Sequence, residues 1–247
     1  MKEDLCDIVF LILVRLDSIE RLENILVVTD TLLRYFKTNI YVLEADSYNN
    51  GLLKKLLNRK INYRFVEDKD PVLHKTKYYN QMAKIVKTPF MAIWDTDIIT
   101  DKSAICDAVK HLREEADVAF PFNGICYETS EIIRNLYLEK KDIRLLHRHK
   151  DKLHLLYEHP LVGCALFVRT NKYFEAGGDN EKIYGWGNDD FCRYEQWIIH
   201  SFKIYHTNGH LYHLCHPRGI NSRFRTSLSK KLSYAELYKL KHTSRDR

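Results

Sequence analysis

Apolar residues in this chain fall into short unbroken runs separated by longer stretches in which they recur with the period of a helix. The run Ile8-Val9-Phe10-Leu11-Ile12-Leu13-Val14 is of strand length. Residues 19 to 36 then place Leu22, Ile25, Val28, Leu32 and Phe36 along one helical face. Ile40-Tyr41-Val42-Leu43 predicts a second strand, residues 52 to 57 a helix, and Tyr63-Arg64-Phe65-Val66 a third strand. Strand and helix alternating in this way predict a largely parallel α/β sheet, with ligands gathered at the carboxyl ends of the strands. Residues 74 to 86 read as helix, Pro89 breaks it, and Phe90-Met91-Ala92-Ile93-Trp94 is a short buried strand. Further on, residues 190 to 200 carry Phe191, Tyr194, Trp197 and Ile198 on one helical face, and a strand follows at 202 to 205. Residues 124 to 160, rich in Lys, Arg and His around Ile132, Leu136 and Leu145, are expected to form an insertion or lid.

Length and composition turn this order of elements into one domain. With 247 residues and 45% hydrophobic content the chain can bury a single large core, and no compositional break divides it. Residues 1–217 are expected to form that domain, and residues 218–247 a basic extension packed on it or trailing from it. The first apolar run is too short to cross a bilayer, and Arg15 and Asp17 interrupt it where a secretory leader would continue, so the mature chain is expected to start near Met1. The six cysteines form no C-x-x-C pair, which suits buried free thiols in a reducing cytosol.

The net charge of +6 changes meaning once it is located. Residues 218–247 carry nine Lys and Arg against Glu236 and Asp246, so the rest of the chain is close to neutral. A solvated face, an anionic membrane surface, a diphosphate or a nucleic acid would each suit such a tail. No zinc finger or aromatic-interleaved RNA motif accompanies it, and no nucleic-acid partner is expected.

Candidate chemistry begins where the buried strand at 90–94 runs into Asp95-Thr96-Asp97. In extended chain the two carboxylates point to the same side and can hold one divalent cation. Hard oxygen ligands suit Mg²⁺ or Mn²⁺ on the phosphates of a nucleotide, whereas an Asp-rich turn is the plain structural alternative. His210, His213 and His216 follow at three-residue intervals and could complete the site; imidazole nitrogen beside carboxylate oxygen favours Mn²⁺. Any one of them taken alone is as well explained as a packed or surface imidazole.

Four of the nine glycines lie between Gly177 and Gly187, and the segment ends as Gly185-Trp186-Gly187-Asn188-Asp189-Asp190. Dense glycine marks bent backbone, and the indole offers a flat wall for a sugar ring. Two aspartates at a helix start are ordinary caps, or one of them is a base that accepts the proton of an attacking hydroxyl.

Taken together these segments resemble a known family. Gly185-Trp186-Gly187-Asn188-Asp189-Asp190 resembles the W-G-G-E-D segment of the animal β-galactosyltransferases and of bacterial chondroitin-polymerase-like enzymes. In the same order, His74-Lys75-Thr76-Lys77-Tyr78-Tyr79-Asn80 looks like their basic donor-binding helix and Asp95-Thr96-Asp97 like their D-x-D. Leu161-Val162-Gly163-Cys164-Ala165 looks like the small-residue strand under the donor sugar, and Tyr212-His213 like the metal-binding His. The likeness spans residues 7–217 and lies in the ordered set.

The resemblance implies a GT-A fold with a single mixed central sheet flanked by helices. It also implies an inverting, metal-dependent glycosyltransferase moving Gal or GalNAc from a UDP-sugar to a carbohydrate hydroxyl. Carried over by position, Asp190 is the base and Asp189, in place of the family's Glu, bonds the acceptor. Asn188 stands where Gly is usual. Asp97 ligates Mn²⁺ or Mg²⁺ with His213 and either His210 or His216, of which His216 is preferred because Pro217 restricts its backbone. Asp95 is expected at the metal and at the donor. Lys75, Lys77, Asn80, Gly163, Trp186 and Gly187 are expected around the donor, and Asp17, with Arg15, beside the nucleotide. The acceptor is expected to be an oligosaccharide or a lipid-linked saccharide of surface polysaccharide. The enzyme is expected in the cytoplasm, with its basic tail near the inner membrane face. A nucleotidyltransferase is the rival within enzymes, although no glycine-rich phosphate loop lies in residues 1–50. A carbohydrate- or nucleic-acid-binding module is the rival outside them.

Overall fold

The computed structural model describes residues 2–243. Residues 244–247, the end of the expected basic extension, lie outside that range. The elements in chain order are β1 (Glu3–Val14), α1 (Ile19–Tyr35), β2 (Phe36–Asp46), α2 (Leu52–Leu56), β3 (Asn62–Glu67), α3 (Lys75–Ala83), β4 (Phe90–Trp94) and β5 (Ile98–Ile99). They continue as α4 (Lys102–Glu114), β6 (Val118–Phe120), β7 (Cys126–Glu128), α5 (Glu131–Lys140), α6 (Ile143–Arg148), β8 (His154–Leu155), β9 (Ala165–Arg169) and α7 (Thr170–Glu175). The last are α8 (Asp189–Ile199), β10 (Ile204–His206), β11 (Leu211–His213) and α9 (Ser227–Thr243).

Seven strands form the main sheet in the order β10-β6-β9-β4-β1-β2-β3. All its pairings are parallel except those of β9, which runs antiparallel to both β4 and β6. Ile8, Phe10, Leu11, Ile12 and every residue of β4 are buried, because helices cover both faces of a mostly parallel sheet and leave its central strands no polar side. Phe10, Trp94 and Phe167 meet ring to ring at the centre, with centroids 5.3 to 5.8 Å apart.

The helix read at 19–36 is α1, opened by Ser18, whose Oγ accepts from the Arg21 N–H. It stops one residue sooner than the apolar spacing suggested, since Phe36 already belongs to β2. The helix expected at 74–86 ends at Ala83.

A second sheet, of order β5-β11-β7-β8, was not anticipated as such. Its strands are two or three residues long, and part of the expected insertion at 124–160 supplies β7 and β8, with α5 and α6 between them. Cys126 and Cys192 are buried as free thiols, while Cys6 is exposed and the other three are half-buried. Among the described residues, no helix is long and apolar enough to cross a membrane.

Candidate active site

Past Trp94 the chain turns through Asp95-Thr96-Asp97 before pairing again as β5. Two backbone bonds from elsewhere hold this turn: the Asp95 N–H donates to Cys164 O and the Leu214 N–H to Asp97 O, both at 2.8 Å. Inside the turn the Trp94 indole N–H donates to Ile98 O at 3.2 Å. The end of β4 is therefore tied on one side to the approach of β9 and on the other to the residue after β11, and this brings Asp97 to the histidines.

Asp97 Oδ1 lies 3.6 Å from His213 Nε2, and Asp97 Oδ2 lies 3.2 Å from His216 Nε2. The three side chains can offer ligand atoms that all fall within 4.8 Å of one another. Behind them His213 Nδ1 faces Glu128 Oε1 at 3.5 Å, and Arg218 donates to the same oxygen at 2.7 Å. His213 and Arg218 hold the Glu128 carboxyl down to about 2. A carboxylate behind an imidazole fixes the ring so that its other nitrogen points at a cation. One carboxylate and two imidazoles at this spacing fit a borderline divalent ion such as Mn²⁺.

Two of the residues considered for the cation lie outside this cluster. Asp95, expected at the metal as well as at the donor, stays outside this cluster: its Oδ1 takes Lys75 Nζ at 3.2 Å instead. Of the two candidates for the second imidazole, His216 lies in the cluster, whereas His210 packs edge-on against Tyr127 with Nδ1 3.3 Å from Asn123.

Arg21, which the sequence reading passed over, reaches into the cluster from the first turn of α1. Its guanidinium donates to Asp17 at 2.7 Å, contacts His216 Nδ1 at 3.2 Å and lies 3.5 Å from Asp97 Oδ2. Burial alone would raise the Asp97 carboxyl; His213, His216 and Arg21 outweigh it and hold the group well below the usual carboxylate range. The i, i+4 spacing of Asp17 and Arg21 was the signal available in the sequence.

Across the cleft, α8 presents Asp189 and Asp190 in its first turn. Asp190 Oδ1 accepts from Arg193 at 3.0 Å, and the buried Arg193 is held in turn by Asp179 at 2.5 and 3.2 Å. Burial works against ionisation of Asp190, yet Lys75 and Arg193 keep its carboxyl below the usual range. Asp189 is pushed the other way, up to about 7, by burial and by the charge of Asp190. Its Oδ2 is buried with no hydrogen-bond partner and lies 4.0 Å from Lys75 Nζ. Two adjacent carboxylates thus sit in environments that separate their affinities for a proton.

Gly163 is the floor of this half. A Cβ there would lie 2.1 Å from Asp190 Oδ2. The small-residue strand expected at 161–165 is a strand only from Ala165 onward. Cys164 adopts a left-handed φ of 66°, which turns its carbonyl to the Asp95 N–H.

One cleft of about 460 Å³ collects Asp17, Lys75, Asp95, Asp97, Gly163, Trp186, Gly187, Asp189, Asp190, His213 and His216, together with Arg15 and Arg21. Lys77 and Asn80, expected at the donor, do not line it. Lys77 is exposed, with its Nζ over the Tyr78 ring. Asn80 instead ties down the glycine-rich loop: its Nδ2 donates to Asp179 O at 3.0 Å and its Oδ1 accepts from the Asp179 N–H at 2.8 Å. Helical period accounts for both departures, because only Lys75 of α3 points into the cleft, over the buried Tyr79 ring one turn on, while Lys77 is turned away.

No protein-family model and no curated protein sequence matches the chain. Among solved structures, the catalytic domain of Drosophila β1,4-galactosyltransferase 7 in complex with xylobiose is similar over 94% of this chain and 79% of that one, at 14% identity and a TM-score of 0.55. A mutant of the Drosophila enzyme in complex with manganese, UDP-Gal and xylobiose is similar over 93% and 79%, at 12% identity and a TM-score of 0.58. At such identity the likeness speaks for architecture, and with the sheet order and the mixed direction of β9 it establishes that this chain has the GT-A fold.

Proposed function

We propose that the chain is an inverting, metal-dependent glycosyltransferase that moves Gal or GalNAc from a UDP-sugar to a carbohydrate hydroxyl. The observation that carries this is the meeting, in one cleft, of the Asp97, His213 and His216 cluster with the Asp189 and Asp190 pair, with Lys75 between Asp95 and Asp189. The solved galactosyltransferase complex with manganese and UDP-Gal supports the same assignment of donor and ion.

Asp97, His213 and His216 would hold Mn²⁺ or Mg²⁺, and the cation would neutralise charge on the departing diphosphate. Asp190, ionised by its neighbours, takes the proton of the acceptor hydroxyl. Asp189 supplies a hydrogen-bonding partner for the acceptor beside it. Lys75, kept charged by Asp95, Asp190 and Asp189 although burial opposes this, stands where negative charge accumulates. Trp186, 37% exposed at the rim, offers a face to a sugar ring, and Asp17 with Arg15 takes the nucleotide side.

Residues 1–217 form the transferase domain in this reading, and 218–247 extend it. The acceptor is an oligosaccharide or a lipid-linked saccharide of surface polysaccharide. The enzyme works in the cytoplasm against the inner membrane face, where α9 turns the exposed Leu228, Leu232 and Tyr238 outward beside Lys231. Co-sedimentation with vesicles containing anionic lipid tests the membrane contact, and absence of binding removes that part alone.

The chemistry is tested by screening UDP-sugars for Mn²⁺-dependent release of UDP and repeating the screen with Asp97→Ala and Asp190→Asn. The first variant is expected to lose metal-dependent donor binding, and the second to keep binding and lose transfer. Normal transfer by Asp190→Asn would remove it as the base.

A further inference from the structure

The start of α8 has no cap of its own. Asn188, its N-cap residue, makes no side-chain bond to the first turn. A helix that opens on two functional carboxylates needs its first turn fixed, and a neighbouring element supplies the contact. Ser233 of α9, only 3% exposed, accepts with its Oγ from the Asn188 backbone N–H at 2.8 Å and lies 3.2 Å from Asn188 Nδ2. The approach is close enough to dictate the residue before it. A Cβ on Gly187 would fall 2.5 Å from Ser233 Oγ and 3.2 Å from Ser233 Cβ.

α9 is itself held in place by further contacts. Leu237 packs with Ile183 and Cys192 in a small core separate from the main one. Glu236 accepts from Asn180 Nδ2 at 3.0 Å. Tyr234 lines the cleft and stands 6.1 Å, ring to ring, from Phe224, which in turn meets the Trp186 indole edge-on at 4.9 Å.

We infer that Ser233 is a positioning residue for the Asp189 and Asp190 pair. It fixes the Gly187-Asn188 junction and so makes the basic C-terminal segment part of the catalytic apparatus. The inference rests on the transferase reading for its kinetic consequence. Asp190 is confined on its far side by Gly163 and gripped by Arg193, so its carboxylate has one productive place only while the helix start stays where Ser233 sets it. Loss of the hydroxyl leaves the Asn188 N–H unpaired at the mouth of the cleft and frees that junction to shift.

The test compares wild type, Ser233→Ala and Ser233→Thr for UDP release and sugar transfer, with thermal unfolding measured on each. Ser233→Ala is expected to lower kcat roughly 10- to 100-fold, because an error of about 1 Å at a reacting group has that effect. Its KM for the UDP-sugar is expected to stay within about twofold, since metal and nucleotide contacts lie on other elements, and Ser233→Thr, which keeps the oxygen, is expected to recover kcat. An active wild type with an unchanged kcat in Ser233→Ala overturns the inference. So does a fall in kcat that tracks loss of folded protein and is not recovered by threonine. A wild type that turns over no UDP-sugar instead removes the transferase reading beneath it.

Discussion

Lys75 Nζ stands 3.2 Å from Asp95 Oδ1 and 4.0 Å from Asp189 Oδ2, so a single cation spans the turn after β4 and the start of α8. Removing it leaves three partly or wholly buried carboxylates facing one another. Lys75→Met is expected to lower kcat/KM by about 10²- to 10³-fold, the range for loss of one preorganised group at a developing charge. Steady-state kinetics on the best UDP-sugar decide this, and a loss below about threefold would detach Lys75 from the reaction.

Metal affinity should depend on a residue that touches no metal. Glu128→Gln keeps the shape behind His213 but removes the charge, and is expected to weaken Mn²⁺ binding by about 10- to 100-fold. His213→Ala and His216→Ala should each weaken it further, whereas His210→Ala should leave it unchanged because that ring points elsewhere. Calorimetric titration of Mn²⁺ into protein stripped with a chelator measures all four.

The raised proton affinity of Asp189 has a consequence for stability. Burial and Asp190 push its carboxyl up to about 7 in the folded protein, from the ordinary aspartate value of about 4, so between these limits the folded state binds more protons than the unfolded one. Stability from this group is therefore fully present below about pH 4, falls as pH rises toward 7 and levels off above it. Asp189→Asn removes the titration and should gain stability relative to wild type over the same window, by an amount of order 1 to 4 kcal/mol at pH 8. Urea unfolding at pH 4.5 and pH 8 without added metal reads the difference, and a constant offset between the two proteins would contradict it.

Gly163→Ala places a methyl where the Asp190 carboxylate now rests. The flexible partner yields first, so the Asp190 carboxylate is expected to leave its position while the fold survives. We expect a kcat reduced by about 10²-fold with Tm changed by a few degrees at most. Unaltered turnover would mean that the carboxylate acts from another position.

Arg193 and Asp179 are each 1% exposed at the side chain and bond through two pairs of atoms. Arg193→Met leaves Asp179 buried without its partner, and a loss of about 3 to 5 kcal/mol in unfolding free energy is expected. Equilibrium denaturation gives the value directly.

In the main sheet β1, β2 and β4 were legible as unbroken apolar runs, whereas the three-residue β6 was not read and β9 begins only where the expected strand at 161–165 ends. The second sheet was not legible, since strands as short as Ile98–Ile99 carry no periodicity and are defined only by what pairs with them. Within the site, Asp97, His213 and Asp190 could be placed because each sits in a segment with a recognisable neighbourhood. Glu128 and Ser233 make their contacts over long range, and nothing in their local sequence distinguishes them from ordinary helix or strand surface, while Arg21 is marked only by its spacing from Asp17. Lys77 and Asn80 show the reverse: a shared segment with Lys75 does not imply a shared direction on a helix.

β5 and β11 pair antiparallel, and that pairing delivers His213 to an aspartate made far earlier in the chain. A ribosome that has produced everything up to β10 has therefore made most of the core and none of the imidazole half of the cation centre. If the proposed cluster binds Mn²⁺, capture of the ion waits until His213 and His216 have been made and threaded beside Asp97, so occupancy would report that β11 has joined β5.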